Sequence, residues 1–234
     1  MLIAGGLHAG DDPHWSYSGT TGPDNWAALS PDYAACSKGL NQSPINISKT
    51  FLSALGALEP DYRSGGTTIV NNGHTVQVNS EPGSSLQVEG QNFELLQLHF
   101  HSPSEHQING EQFLLEGHFV HQNENGELAV VAVLFRDGAW NSDLEKIGKA
   151  APATVGQSAP INIRFEELKL HTGHDSYFRY NGSLTTPPCT EGIRWYVLKT
   201  PSTISTEQAA NFVALIGDDA RGPQPLNARI ILEH

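Results

Sequence analysis

A chain of 234 residues is long enough to bury a core without staples, and 38% hydrophobic with 16% charged residues excludes a coiled coil or an acidic disordered tail. Twenty-five acidic against 13 basic residues leave a formal charge of -12, which excludes a nucleic-acid partner and is repelled by an anionic membrane surface. The longest apolar run, Leu128 to Phe135, is far too short for a membrane helix, so no membrane insertion is expected.

The opening ten residues lack the basic start and full apolar stretch of a signal peptide, and residues 1–10 read as a leader remnant or added residues. The closing residues 232–234 read as a tag scar, which leaves one domain over 11–231 with no repeat or linker to split it. Cys36 and Cys189 are too distant for a CxxC motif and are either two buried thiols or one disulfide.

Strand-like segments dominate: Thr67–Asn71, His74–Val78, Ser85–Val88, Glu94–His101, Phe113–His121, Leu128–Phe135, Asn162–Phe165 and Ile193–Lys199. Asn72-Gly73, Pro82-Gly83, Asn109-Gly110 and Asn125-Gly126 punctuate them as turns. Leu128–Phe135 is apolar on both faces, as a central strand covered on each side must be. Two helices are expected. Ser142 with Glu145 has capping-box spacing, with Gly148 near the end; Ser205 with Gln208 repeats the box, with Gly217 as the stop.

The chemistry lies in the histidines. In Gln97-Leu98-His99-Phe100-His101 side chains alternate across a strand, so Gln97, His99 and His101 share one face. Glu116 and His118 share a face of the next strand, and an antiparallel partner would bring His118 opposite the first pair. Three histidines with an open fourth position make a catalytic zinc site, whereas structural zinc prefers four ligands rich in cysteine. The absence of HExxH argues against a zincin protease.

These residues, with Ser104-Glu105-His106 between them, resemble the α-class carbonic anhydrases, and the likeness extends along most of the chain. His14-Trp15-Ser16-Tyr17-Ser18-Gly19, Asn41-Gln42-Ser43-Pro44-Ile45-Asn46-Ile47, Asn71-Asn72-Gly73-His74, Gly182-Ser183-Leu184-Thr185-Thr186-Pro187-Pro188-Cys189, Glu191-Gly192-Ile193-Arg194-Trp195 and Gln224-Pro225-Leu226-Asn227 stand in the family's order. The short loops resemble bacterial members. Ser102-Pro103 after the histidine pair and Arg221-Gly222-Pro223-Gln224 near the end depart from the commoner pattern, at positions that shape the cleft entrance.

The resemblance implies a mainly β (α+β) single domain around a large, twisted, mostly antiparallel sheet with a few short peripheral helices. It implies Zn2+ on His99, His101 and His118, with Gln97 and Glu116 holding the outer N–H groups of His99 and His118. The implied reaction is reversible hydration of carbon dioxide to bicarbonate and a proton by hydroxide on the zinc, with a side esterase activity. Thr185 would donate its hydroxyl hydrogen to Glu105, and Val120, Val130, Leu184 and Trp195 would wall an apolar substrate pocket bordered by Thr185 and Thr186. His74 would shuttle the proton. Sulfonamides and anions would inhibit. A Cys36–Cys189 disulfide, a periplasmic or secreted location and a homodimer are also implied. The rival reading is a binding module that keeps the fold without catalysis; such domains lose zinc histidines, and all three stand here.

Overall fold

The computed structural model describes residues 13–168 and 176–234. Residues 1–10, set apart in the sequence, lie outside the described residues. Thirteen strands form the main sheet: β1 (Phe51–Leu52), β2 (Glu59–Tyr62), β3 (Gly65–Asn71), β4 (Val76–Ser80), β5 (Ser84–Val88), β6 (Gln91–His101), β7 (Leu115–Gln122), β8 (Leu128–Asp137), β9 (Ser158–Arg164), β10 (Tyr177–Ser183), β11 (Glu191–Leu198), β12 (Ser202–Ile204) and β13 (Leu232–Glu233). Their spatial order is β9-β3-β4-β6-β7-β8-β11-β10-β13-β1, with β12 beside β8, β5 beside β6 and β2 beside β5. Most neighbours are antiparallel; β8 runs parallel to β11 and β12, and β13 parallel to β1. A small second sheet joins Asn46–Ile47, Gln107–Ile108 and Glu111–Gln112.

The helices are peripheral: α1 (Trp26–Leu29), α2 (Ala35–Lys38), α3 (Ser142–Ala150) and α4 (Thr206–Ile216). None of the described helices is long and apolar enough to cross a membrane. The Ser205–Gln208 capping box forms, and Gly217 stops α4 at a φ of 76° that favours glycine. The Ser142–Glu145 box does not. Asn141 caps α3 instead, its Oδ1 accepting from the Asp143 and Leu144 N–H groups at 3.1 Å. Gln208 holds Asn141 at both backbone groups, and Glu145 is drawn away to Trp140 and Lys149.

Other boundaries also shift. His74 precedes its strand in a turn, where Asn72 Oδ1 accepts from the His74 and Thr75 N–H groups. Phe165 begins a 3-10 turn rather than ending β9. The closing residues belong to the fold: β13 pairs with β10 and β1, Lys199 Nζ lies 2.5 Å from Glu233, and the His234 N–H donates to the Tyr177 carbonyl. An edge strand two residues long carries no periodicity to read in the sequence.

The sheet separates two cores. Leu98, Phe100, Phe119, Val131 and Val133 pack with Ile147 of α3 and Phe212 of α4 on one face. Val120, Val130, Ala132, Leu134 and Trp195 pack on the other. Both faces of β8 are therefore covered, as its unbroken apolar run requires. In the β6–β7 ladder Val120 pairs with Gln97 and His121 with Leu95, so Leu96 is an extra residue. This bulge lets Phe93 and Leu95 face the same core as Leu98 and Phe100.

Candidate metal centre

Strand register assembles the site. His118 on β7 lies opposite His99 on β6, and Glu116 opposite His101, so four side chains meet on one face. His99 Nδ1 stands 2.8 Å from Gln97 Oε1, His101 Nδ1 stands 3.0 Å from the Asp219 carbonyl, and His118 Nε2 stands 2.8 Å from Glu116 Oε1. Each of these partners is an oxygen acceptor, so each of those ring nitrogens carries the hydrogen and donates. The lone pairs are left on His99 Nε2, His101 Nε2 and His118 Nδ1.

Those three atoms converge. All lie within 4.8 Å of one another, and His118 Nδ1 sits 3.2 Å from His99 Nε2 although neither has a hydrogen to offer. His101 Nε2 and Glu105 Oε2, 3.5 Å apart, are buried without a hydrogen-bond partner. Lone pairs aimed at one another in a buried corner are satisfied by a cation. Three neutral imidazoles without cysteine fit zinc of the catalytic, open-position kind. Burial holds His99 well below its ordinary pKa, reinforced by His118 and His101, and lowers His118 against the pull of Glu116. At His101 burial acts downward, but the Glu105 and Asp219 carboxylates outweigh it and raise the pKa, which marks a corner that favours positive charge.

Glu116 is the hub behind the centre. Its carboxylate accepts from His118 Nε2, from His106 Nδ1 at 2.6 Å, and from the Glu105 and His106 backbone N–H groups at 2.9 and 2.8 Å. Burial alone would raise its pKa, yet His106 and His118 hold it well below the carboxylate range. His106 Nε2 then accepts from Tyr180 Oη at 2.6 Å, and Tyr180 in turn meets Ser43 Oγ at 2.8 Å. His106, Glu116 and His118 also cluster closely enough to hold a metal, but the Glu116 oxygen already lies between two ring N–H donors.

The family model for eukaryotic-type carbonic anhydrase matches residues 21–234. The chain belongs to the eukaryotic-type, or alpha, carbonic anhydrase family. A carbonic anhydrase of Pectobacterium carotovorum is 45% identical over 225 residues, covering 96% of this chain and 92% of the relative. One of Neisseria gonorrhoeae is 44% identical, covering 96% and 89%. The α-carbonic anhydrase of Thermovibrio ammonificans, solved with the inhibitor sulfanilamide, superposes with a TM-score of 0.90 at 42% identity, covering 95% of this chain and all of that one. Dioscorin complexed with ascorbate superposes at 0.87 with 33% identity, covering 94% of this chain and 97% of that one.

In this carbonic anhydrase the other expected residues fall as follows. Val120, Val130 and Trp195 stand side by side on β7, β8 and β11, and the Trp195 ring lies 4.9 Å from that of His118. Leu184 is partly buried against the same cluster. Thr185 is buried, and half-buried Thr186 accepts from the Cys189 N–H. The expected Thr185-to-Glu105 hydrogen bond is not made. Glu105 Oε1 accepts instead from the Arg221 backbone N–H at 3.1 Å, and Oε2 turns toward His101. His74 stacks on Trp15 with centroids 3.7 Å apart and rings 9° from parallel. It lines a cavity of about 550 Å³ with His14, Asp32, Tyr33, Pro187 and Pro188, and burial together with His14 lowers its pKa.

The Cys36–Cys189 disulfide is formed, closing a sequence separation of 153. Gln42 Nε2 donates to the Cys189 carbonyl, and the Arg221 guanidinium donates to the Cys36 and Ser43 carbonyls and to Gln42 Oε1. Sequence reasoning saw Arg221 only as part of a loop that departs from the commoner pattern, and missed Asp219. Asp219 holds His101 by its carbonyl, caps the Ser102 N–H with Oδ1 at 2.7 Å, and has its carboxyl pushed up to about 8, chiefly by burial. Both lie in a loop without periodicity, and no motif marks Asp219. His106 was visible only as a neighbour of Glu105.

Proposed function

We propose that this carbonic anhydrase hydrates carbon dioxide reversibly to bicarbonate and a proton, using Zn2+ held by His99, His101 and His118. The observation that carries the reading is the convergence of three imidazole lone pairs, each enforced by an oxygen acceptor on the ring's other nitrogen. Bound zinc would supply a Lewis acid that makes water acidic enough to ionise near neutrality, behaviour for which carbonic anhydrases are themselves the general example.

The chain's own residues do the rest. Gln97, Glu116 and the Asp219 carbonyl keep each ligand in the tautomer that presents a lone pair. Val120, Val130, Leu184 and Trp195 offer an apolar wall to an uncharged substrate, where a hydrogen-bond donor would instead hold water. Thr185 and Thr186 border the side of the wall where bicarbonate and anionic inhibitors would lie. Glu105 Oε2, buried beside His101 without a hydrogen-bond partner, would accept from the Thr185 hydroxyl. His74, an imidazole on a cavity wall whose pKa burial and His14 lower, carries the released proton outward. The same chemistry gives a side esterase activity. Sulfonamide inhibition is supported by the sulfanilamide complex of the Thermovibrio relative.

The disulfide suits an oxidising compartment, a periplasm or the exterior. A homodimer is proposed on resemblance to bacterial members. Stopped-flow carbon dioxide hydration beside metal analysis tests the function: one zinc per chain is expected, with hydration abolished by sulfanilamide. Metal-free, inactive protein would overturn the reading in favour of a binding module.

A further inference from the structure

Behind the three histidines, a line of buried side chains leaves little choice about where its hydrogens sit. Glu116 Oε1 lies 2.6 Å from His106 Nδ1, His106 Nε2 lies 2.6 Å from Tyr180 Oη, and Tyr180 Oη lies 2.8 Å from Ser43 Oγ. The line ends on backbone. The Ser183 N–H donates to Ser43 Oγ at 3.0 Å, and the Ser43 N–H donates back to Ser183 Oγ at 2.9 Å. Glu116, His106, Tyr180, Ser43 and Ser183 are each 2% exposed or less, so every hydrogen needs an acceptor within the line.

The count of donors and acceptors selects one order. With a neutral His106 whose hydrogen is on Nδ1, Ser43 donates to Tyr180, Tyr180 to His106 Nε2, and His106 to Glu116. Every hydrogen is then accepted. A charged His106 puts a hydrogen on Nε2 and turns the Tyr180 hydrogen toward Ser43. The Ser43 hydrogen is then left with no acceptor among the described residues. The other neutral tautomer has the same fault and also sets the Nδ1 lone pair against Glu116. Burial raises the Tyr180 phenol well above its ordinary pKa, so Oη keeps its hydrogen.

We propose that Tyr180 is a positioning residue for the zinc ligand His118, acting through His106 and Glu116. Its hydroxyl, aimed by Ser43, occupies the His106 Nε2 lone pair and holds that ring neutral. Glu116 then receives one hydrogen bond from each of two neutral rings and keeps its negative charge for His118 Nε2, 2.8 Å away. A charged His106 would draw that charge to itself and loosen the hold on His118. Each donor in the line polarises the next, so a hydroxyl that touches neither metal nor ligand governs how long the metal stays. The inference rests on the proposed zinc site and names a residue that tunes it.

Zinc loss and nitrogen NMR test it together. Tyr180→Phe removes the hydroxyl alone, since the ring still lies along Trp195 with centroids 6.2 Å apart. The bare Nε2 lone pair is costly where it is buried, so His106 takes up a proton instead. Zinc loss into excess dipicolinate should quicken about tenfold, the lower end of what changes behind a metal ligand cause. Nitrogen-15 spectra at neutral pH should show His106 as the Nδ1–H tautomer in the wild type and as imidazolium in Tyr180→Phe. Ser43→Ala is the structural control. It breaks the same line but leaves Tyr180 donating to His106, so the urea midpoint should fall while zinc leaves at the wild-type rate. A wild-type His106 in any other protonation state would overturn the inference, without need of a variant. So would equal zinc loss from Tyr180→Phe and wild type, or equally quickened loss from both variants. Those results leave the proposed function standing, whereas a wild-type protein that binds no zinc would overturn both.

Discussion

His121 should make this protein lose stability as the pH falls from neutrality, by an amount that follows from its surroundings. The ring is fully buried, Nδ1 donating to the Ala129 carbonyl at 3.2 Å and Nε2 accepting from Tyr62 Oη at 2.9 Å. Burial pushes its pKa down to about 4 from an ordinary 6.5, and burial also raises the Tyr62 pKa, so the phenol keeps its proton. The folded state thus refuses a proton that the unfolded chain accepts between those values. The stabilising contribution is complete above about pH 6.5, drains away as the pH falls toward 4, and changes no further below that. A gap of about 2.5 pH units at about 1.4 kcal/mol each amounts to about 3 kcal/mol, large against a typical folding free energy. His121→Gln is the informative variant, since its amide accepts from Tyr62 and donates to Ala129 without titrating. Urea unfolding of both proteins from pH 7.5 to 4 measures the difference, in which other titrating groups cancel. The wild-type protein should lose about 3 kcal/mol relative to the variant across that range. Parallel stability curves would refute the reasoning, because they would mean the buried ring titrates near its solution value.

Alanine at His99, His101 or His118 should each abolish stoichiometric zinc by metal analysis and nearly all hydration activity, since each removes one of three ligands. Replacing Cys36 and Cys189 together with serine should lower unfolding free energy by up to roughly 5 kcal/mol on the chain-entropy model, read by urea denaturation; an unchanged midpoint would deny the bridge that role. His74→Ala should slow turnover far more in dilute than in concentrated buffer, with imidazole restoring it and carbon dioxide–bicarbonate exchange nearly unchanged. Wild-type turnover in dilute buffer would assign the proton to another group.

How far the sequence alone determined this protein depends on the range over which each feature is set. The shared face of Gln97, His99 and His101 was legible because strand alternation is a property of adjacent residues, and the same holds for Glu116 with His118. The Ser205–Gln208 box was legible because a cap reaches only three residues. Both faces of β8 were legible because an unbroken apolar run has nowhere wet to turn. Local rules failed where two solutions were locally equivalent. Asn141 and Ser142 are both good caps, and only Gln208, reaching across from α4, selects the first. The Leu96 bulge depends on which residues of β7 lie alongside. The order of the sheet, with parallel neighbours at β8 and β13, was likewise decided in three dimensions, because pairing joins strands far apart in the chain. The hydrogen bond that fixes the His101 tautomer spans 118 residues and ends on a backbone carbonyl, which every residue possesses and no side chain advertises. Only the folded chain brings the Asp219 carbonyl there, because the contact joins a strand to a loop far away in sequence.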